Sequence, residues 1–414
     1  MRVRSRAELA AIVPVAALLV LAVPLAAPGP ALLPGAGADE PRWIFGIYGQ
    51  GLGVGAGLYL ALLYLAGAAW VGAWLGASRL GPRIVWGVAG IVLTLFALAP
   101  PLLSLDVFSY IAYGRLGVEG FNPYEFVPAD LPGDPAADRV EDFRFTPSVY
   151  GPAFTMLTYP LASVGAGFAL WALKAIAVLS IVALGVLTAR LGRLRGVDSA
   201  AAAAFVVLNP LVLVHLVGGA HNDALMVAIA TAGVLAVAGG RPLTAGAALV
   251  GATAIKVSGA LYLPFAVAGS PDRRRLTIAI AVVAGVVAGA GLALFGGAVT
   301  EALGVASSNQ STTSRWSVPA TLSRITGLDL DLLRAVFAVA YGLAVAGLLV
   351  RVVGGADWIR AAGWAAFGLL VATSWLVPWY IVWLLPLAAV SRDRALQAGA
   401  IGLTIFQSVN ALPL

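Results

Sequence analysis

The sequence predicts an all-α protein that threads a membrane many times. Three observations carry that reading. The 414 residues are 61% hydrophobic and 11% charged, with a mean hydropathy of +0.95, against roughly 45–50% apolar and 25% charged usage in soluble domains. Many apolar runs approach or exceed the ~18 residues that mark a spanning helix. The alternating pattern of a β-barrel strand is missing.

The elements follow in chain order. With the N-terminus inside, spans fall near 8–28, 44–68, 84–101, 168–189, 199–217, 224–239, 276–297, 331–353, 358–376, 379–391 and 396–412. Residues 243–269 hold Lys256 and Pro264 between two short apolar halves, which reads as a hairpin that enters and returns on one side. A single crossing there would place Arg273, Arg274 and Arg275 outside, against the positive-inside bias. The bundle therefore has about 11–13 membrane helices, as one unit over 1–414 without a sizeable soluble domain. Arg2, Arg4 and Arg6 ahead of the first apolar run also resemble a secretory signal; residue 39 lies outside either way.

Charge and cysteine content narrow the partners. The pI is near 9.8, but the arginines sit in short clusters between apolar runs, so the balance reflects topology and no nucleic-acid partner is implied. There are no cysteines, hence no disulfides and no thiolate metal site.

On this threading the unusual chemistry gathers on the external side. Residues 102–165 form the first large extracytoplasmic loop with surface helices, and 298–330 the second. Asp106 follows the apolar run that ends in Pro100-Pro101. An acid in a helix's first turn, capped by Ser104, gains roughly 0.3–1 kcal/mol from the helix dipole, so a plain structural account exists. The functional account adds geometry. Asp106, Tyr110 and Tyr113 lie at i, i+4 and i+7 and share one helix face. A carboxylate among phenols at a membrane surface suits a general base meeting a sugar hydroxyl. Asn122-Pro123-Tyr124 and Tyr150-Gly151-Pro152 read as turns, and 150–164 as a re-entrant or surface helix.

His221-Asn222-Asp223 places three hydrogen-bonding side chains where one span exits and the next begins, although a helix N-cap by Asn222 or Asp223 would account for them too. His221 lacks an HxxH or HxH partner, which argues against zinc. Lys256 is costlier, since a lysine at a helix centre costs roughly 2.5–3.5 kcal/mol on insertion scales and such groups face a cavity or a partner. At a hairpin tip it would offer its ammonium to a lipid phosphate; its plain alternative is snorkelling, which also explains Lys174. Arg115 and Arg315 are among the few external cations, and Trp379 lies in the aromatic edge SWLVPWY at 374–380. Asp329-Leu330-Asp331 matches a metal-binding DxD, but capping explains it better.

Taken together, LDVFSYIAYGRLGVEGFNPY at 105–124, TPSVYGPAF at 146–154 and GGAHNDALM at 218–226 resemble the actinobacterial polyprenol-phosphate-mannose-dependent alpha-1,6-mannosyltransferases of lipoglycan synthesis, members of the GT-C superfamily. The resemblance implies a GT-C bundle in the plasma membrane, an active site outside, a polyprenyl-phosphate sugar as donor and a lipid-linked glycan as acceptor. It also implies an acid in the first large external loop as catalytic base, the position held here by Asp106. Mannose itself comes from the resemblance; another hexose or a pentose would need only small changes of pocket. One base and direct attack mean inversion, and a monophosphate leaving group makes a metal or other cofactor unnecessary. The rival readings are a transporter or lipid flippase, which typically shows internal repeats and midplane charges, and a non-catalytic scaffold.

Overall fold

The computed structural model describes residues 6–29, 32–33, 44–49, 51–301, 304 and 313–411; Arg2, Arg4 and all of 305–312 lie outside them. Within these residues the chain is mostly helical, without strands. α1 (Arg6–Ala26) packs on α2 (Ala56–Ala97), a 42-residue helix that folds back on itself at Gly81-Pro82. A straight helix of that length would hold its ends about 60 Å apart. Ile47, nine residues before α2 begins, nevertheless donates its N–H to Leu98 O at the far end of that helix, at 3.3 Å. The reversal uses Gly81 at φ 76°, a left-handed backbone that glycine adopts without a Cβ penalty, followed by a proline that needs no N–H acceptor.

The expected spans differ in detail from the helices observed. The span expected at 44–68 starts only at Ala56, because Gly49, Gly51 and Gly53 all take positive φ and make turns of the preceding stretch. Long unbroken helices account for only part of the expected bundle of about 11–13 membrane helices. Among the described residues four are long and apolar enough to cross, or five if one bent pair counts as a span. The four are α2, α5 (Ala166–Leu194), α10 (Arg273–Phe295) and Leu330–Val353. The bent pair joins α6 (Ser199–Val207) to a wide π-helical turn, Val212–Gly218, at 65°. Asn209-Pro210 makes the break, with Asn209 Oδ1 accepting from the N–H groups of Leu211 and Val212. The stretch expected to cross at 379–391 is likewise split into Pro378–Trp383 and Leu385–Val390, each opened by a proline.

α3 (Asp106–Val118) and α4 (Pro152–Val164) are the short helices expected after the first spans. They pack closely because Gly114 and Gly117 of α3 face Thr158 and Tyr159 of α4, where any Cβ would collide. α7 (Asp223–Ala238) runs against α8 (Pro242–Ile255), and the chain then turns at Lys256 and returns through Val257–Tyr262 and α9 (Leu263–Gly269). Gly269 abuts Trp358, next to Asp357, which pairs with Arg195. Both feet of this hairpin therefore stand at the arginine-rich end of the bundle, and its tip reaches the opposite end, where Asp106 lies.

Aspartates cap helices at the arginine-rich end. Asp198, Asp272, Asp357 and Asp393 each accept backbone N–H bonds from a first turn. At the other end Asp329 accepts the Leu332 N–H at 2.8 Å and Asp331 pairs with Arg334 at 2.8 Å, so this DxD is a cap and an ion pair. Along Leu330–Val353 only 6% of the apolar window is buried against the rest of the chain, and 17% along α10. With side chains such as Val286 and Leu343 exposed, these two helices present their surfaces to the bilayer.

Candidate active site

A cavity of about 330 Å³ opens at the Asp106 end, within the small-molecule range of roughly 300–1,000 Å³. Four stretches remote in sequence build it: 103–113, 140–150, the tip residue Lys256, and 375–380. Asp106 is in the first turn of α3, its N–H donating to Ser104 Oγ at 3.2 Å. The α3 face predicted from the i, i+4, i+7 spacing divides. Asp106 and Tyr113 line the cavity, whereas Tyr110 lies beneath it, edge-on to Tyr150 at 4.9 Å and Phe154 at 5.0 Å. Tyr113 donates to Thr146 O at 2.7 Å. Burial, and then the charge of Asp106, raises its pKa above the usual phenol range, so it meets a ligand as a neutral hydroxyl.

Behind Asp106 stands the His221-Asn222-Asp223 segment, wholly buried. His221 Nδ1 lies 3.4 Å from Asp106 Oδ2, close enough to pair although not aligned for a hydrogen bond in this state. Trp379 stacks on the His221 ring at 3.7 Å with 19° between planes, fixing the imidazole from its other side. Asn222 Oδ1 meets the Tyr110 hydroxyl at a long 3.5 Å. The capping account of this segment does not hold, because neither Asn222 nor Asp223 caps α7 through its side chain. Asp223 instead spends both carboxylate oxygens: Oδ2 accepts from Lys256 Nζ and Oδ1 from Trp383 Nε1, each at 2.7 Å.

That arrangement decides how Lys256 is presented. A buried carboxylate pays for part of the ammonium's desolvation, and the rings of Tyr380 and Trp383 add their faces at 4.9 and 6.0 Å. The lysine keeps 16% of its side chain exposed, on the wall of the cavity that holds Asp106. One open carboxylate and one tethered cation thus share an aromatic chamber. Glu141 and Asp142 complete the acidic inventory, exposed at its rim.

The other sequence candidates are placed elsewhere. Arg115 pairs with Glu119 at 2.6 Å and Asp134 at 3.2 Å beside a separate shallow hollow. Asn122 is a turn residue, donating to Phe295 O and accepting the Tyr124 N–H. Tyr124 is buried and donates to Tyr150 O at 2.8 Å. Arg315 lies over Trp316 with Arg324 and does not line the cavity. Conversely, sequence reasoning did not reach Trp383 or Ser109, and it met Tyr380 and Trp375 only as members of the aromatic edge at 374–380. Trp383 and Tyr380 carried a readable signal, since Trp379, Tyr380 and Trp383 fall on one turn after Pro378. Lys174, set aside as a snorkelling residue, is instead wholly buried, with three carbonyl partners.

Residues 15–270 match the family described as "Alpha-(1->6)-mannopyranosyltransferase, N-terminal domain". The chain belongs to this alpha-(1->6)-mannopyranosyltransferase family. The match takes in Asp106, the His221-Asn222-Asp223 segment and the Lys256 hairpin. Among curated relatives, alpha-(1->6)-mannopyranosyltransferase A of Mycobacterium tuberculosis is 34% identical over 233 residues, 51% of this chain and 43% of that protein. The Corynebacterium glutamicum protein of the same name is 33% identical over 173 residues, 41% of this chain and 35% of its own length. Alpha-(1->6)-mannopyranosyltransferase B of the latter organism is 28% identical over 365 residues, covering 76% and 60%. The chain thus spans less than half the length of the first two relatives. No solved structure matches.

Proposed function

We propose that this membrane protein transfers mannose from a polyprenyl-phosphate-mannose donor to a lipid-linked glycan acceptor, on the extracytoplasmic side, with inversion and in alpha-1,6 linkage. The observation that carries the reading is the cavity in which the Asp106 carboxylate and the Lys256 ammonium face the same space, in a chain of this family. The chemistry needs both groups. Asp106 accepts the proton of the acceptor hydroxyl as it attacks the anomeric carbon, and the bond to the phosphate oxygen breaks on the opposite face. Negative charge then collects on the departing phosphate. Lys256, already held in place by Asp223 and Trp383, stabilises it with little reorganisation.

The aromatic walls suit both substrates. The faces of Tyr113, Tyr150, Trp375 and Trp379 offer apolar contact to a sugar ring, and their polar edges are placed to orient it. The phosphate leaving group is itself the activation, so no resident cofactor enters the scheme. A carrier lipid supplies the sugar where nucleotide sugars are not at hand, which accords with a site at the end opposite the arginine clusters. The test is transfer by purified protein from a panel of polyprenyl phosphosugars, read as glycolipid product. Mannose transfer is the expected result. Solute or lipid flux in proteoliposomes without any transfer would replace the enzyme with a transporter.

A further inference from the structure

Asp106 and His221 are carried by two backbone segments that meet far from either residue in sequence. The first leaves the end of α2 at Phe96 and runs through Pro100-Pro101 to Asp106; the second leaves the π-helical turn at Gly218 and reaches His221 three residues later. They touch where the Leu102 N–H donates to Gly218 O at 3.3 Å. Each contains a non-glycine residue in the left-handed region, Leu103 at φ 57° and Ala220 at φ 56°. Such conformations persist only where the surroundings impose them.

Lys174 reaches the two segments at once, upstream of both positions. It projects from α5, the 29-residue span, and its Nζ donates to Phe96 O at 3.2 Å, Val217 O at 3.3 Å and Gly218 O at 2.7 Å. Three donors meet three acceptors, so the ammonium has no hydrogen left for a ligand. The side chain is only 1% exposed and is not part of the cavity wall. Two of its acceptors lie at the start of one segment and the third at the start of the other. Both sets are C-terminal helix carbonyls, which lack intrahelical partners and carry the negative end of the helix dipole.

We propose that Lys174 is a positioning residue: its ammonium sets the spacing between Asp106 and His221 by tying together the two backbone segments that carry them. His221, clamped on its other face by Trp379, then holds the Asp106 carboxylate toward the cavity. Met in place of Lys174 keeps the chain length and removes the tie. A purely stabilising lysine would lower thermal stability without acting through His221.

The inference rests on the transferase reading for its kinetic test and on spectroscopy for an independent one. Lys174→Met is expected to lower kcat at least about tenfold with the donor KM within about twofold, as misplacement of reacting groups does. In a His221→Gln background the same substitution is expected to cost less than about threefold more, the non-additivity of residues acting through one another. The chain has two histidines, so 15N-histidine labelling reports His221 directly once a His215 variant assigns the other ring. Its resonances are expected to move in substrate-free Lys174→Met. Unchanged kcat with unmoved His221 resonances, or equal losses in both backgrounds, would overturn the proposal. Should Lys174→Met not fold, Gly218→Ala tests the same joint. Its Cβ would meet Leu102 Cδ1 at 2.6 Å and Cβ at 3.2 Å, pushing the segments apart. Wild-type kcat and His221 resonances in that variant would also refute it. If the wild-type protein transfers no sugar, the proposed function fails while the His221 resonances still decide the positioning role.

Discussion

At the scale of single residues, the cavity holds three carboxylates, and their surroundings distinguish them. Asp106 sits at the cavity's inner wall with a buried imidazole behind it, whereas Glu141 and Asp142 are exposed at the rim. Asp106→Asn is therefore expected to lower kcat by roughly 10²–10⁴, the usual worth of a positioned general base, with donor KM little changed. Glu141→Gln and Asp142→Asn should stay within about threefold in the same mannose-transfer assay. Equal losses at the rim would move the base out of α3. Trp383 provides a second residue-scale test, because its Nε1–H satisfies one oxygen of the buried Asp223. Trp383→Phe leaves that oxygen unpaired and should cost about 1–3 kcal/mol of stability, read as a lower melting temperature. It should also raise the donor KM, since Asp223 then pulls more strongly on Lys256.

At the scale of elements, the helix termini carry the arguments that sequence supports best. Asp393 opens the last helix, Arg394–Ser408: Oδ1 accepts the Ala395 and Leu396 N–H groups, and Oδ2 accepts Arg360 Nε at 2.7 Å and Trp364 Nε1 at 3.0 Å. Burial alone would raise its pKa, but the bonds from Trp364, the Leu396 backbone and Arg360 outweigh it and hold the carboxyl below its usual value. A folded-state pKa below the unfolded one gives stability that is fully present above about pH 4 and is lost as pH falls through the lowered value. Asp393→Asn is expected to lower the melting temperature at neutral pH. The deficit should shrink as the wild type is acidified through that window, which melting curves at stepped pH will show. The hairpin around Lys256 was legible for a related reason: a lysine and a proline between short apolar halves have few satisfactory placements in a bilayer. The turn at Gly81 falls between the spans expected at 44–68 and 84–101, whereas the break at Asn209-Pro210 was less legible. It interrupts a run, 199–217, whose composition alone reads as one membrane helix, and the angle of a break depends on what packs beside it.

At the scale of the whole molecule, sequence order hid the pairings that make the site. Asp106, Tyr113 and Tyr150 were readable because they lie within one loop and obey helical spacing or turn chemistry. The contacts of Asp223 with Lys256 and Trp383, of His221 with Trp379, and of Lys174 with two chain ends join residues from 33 to 160 positions apart where the hydrogen bonds record it. No local pattern encodes such separations; they exist only once the helices are packed. The same packing puts Asp106, Asp142 and Lys256 at one end of the bundle and Arg195, Asp357 and Asp393 at the other. The proposal that the Asp106 end faces outward rests on the positive-inside bias. The absence of native cysteine makes this directly measurable. Asp142→Cys, exposed at the cavity rim, should react in intact cells with a thiol reagent that does not cross membranes. Arg193→Cys, near the opposite end of α5, should react only after the cells are opened. Labelling of both from outside would overturn the threading that puts the two ends on opposite faces, and labelling of Arg193→Cys alone from outside would place the cavity in the cytoplasm. The sugar donor would then have to be presented from that side.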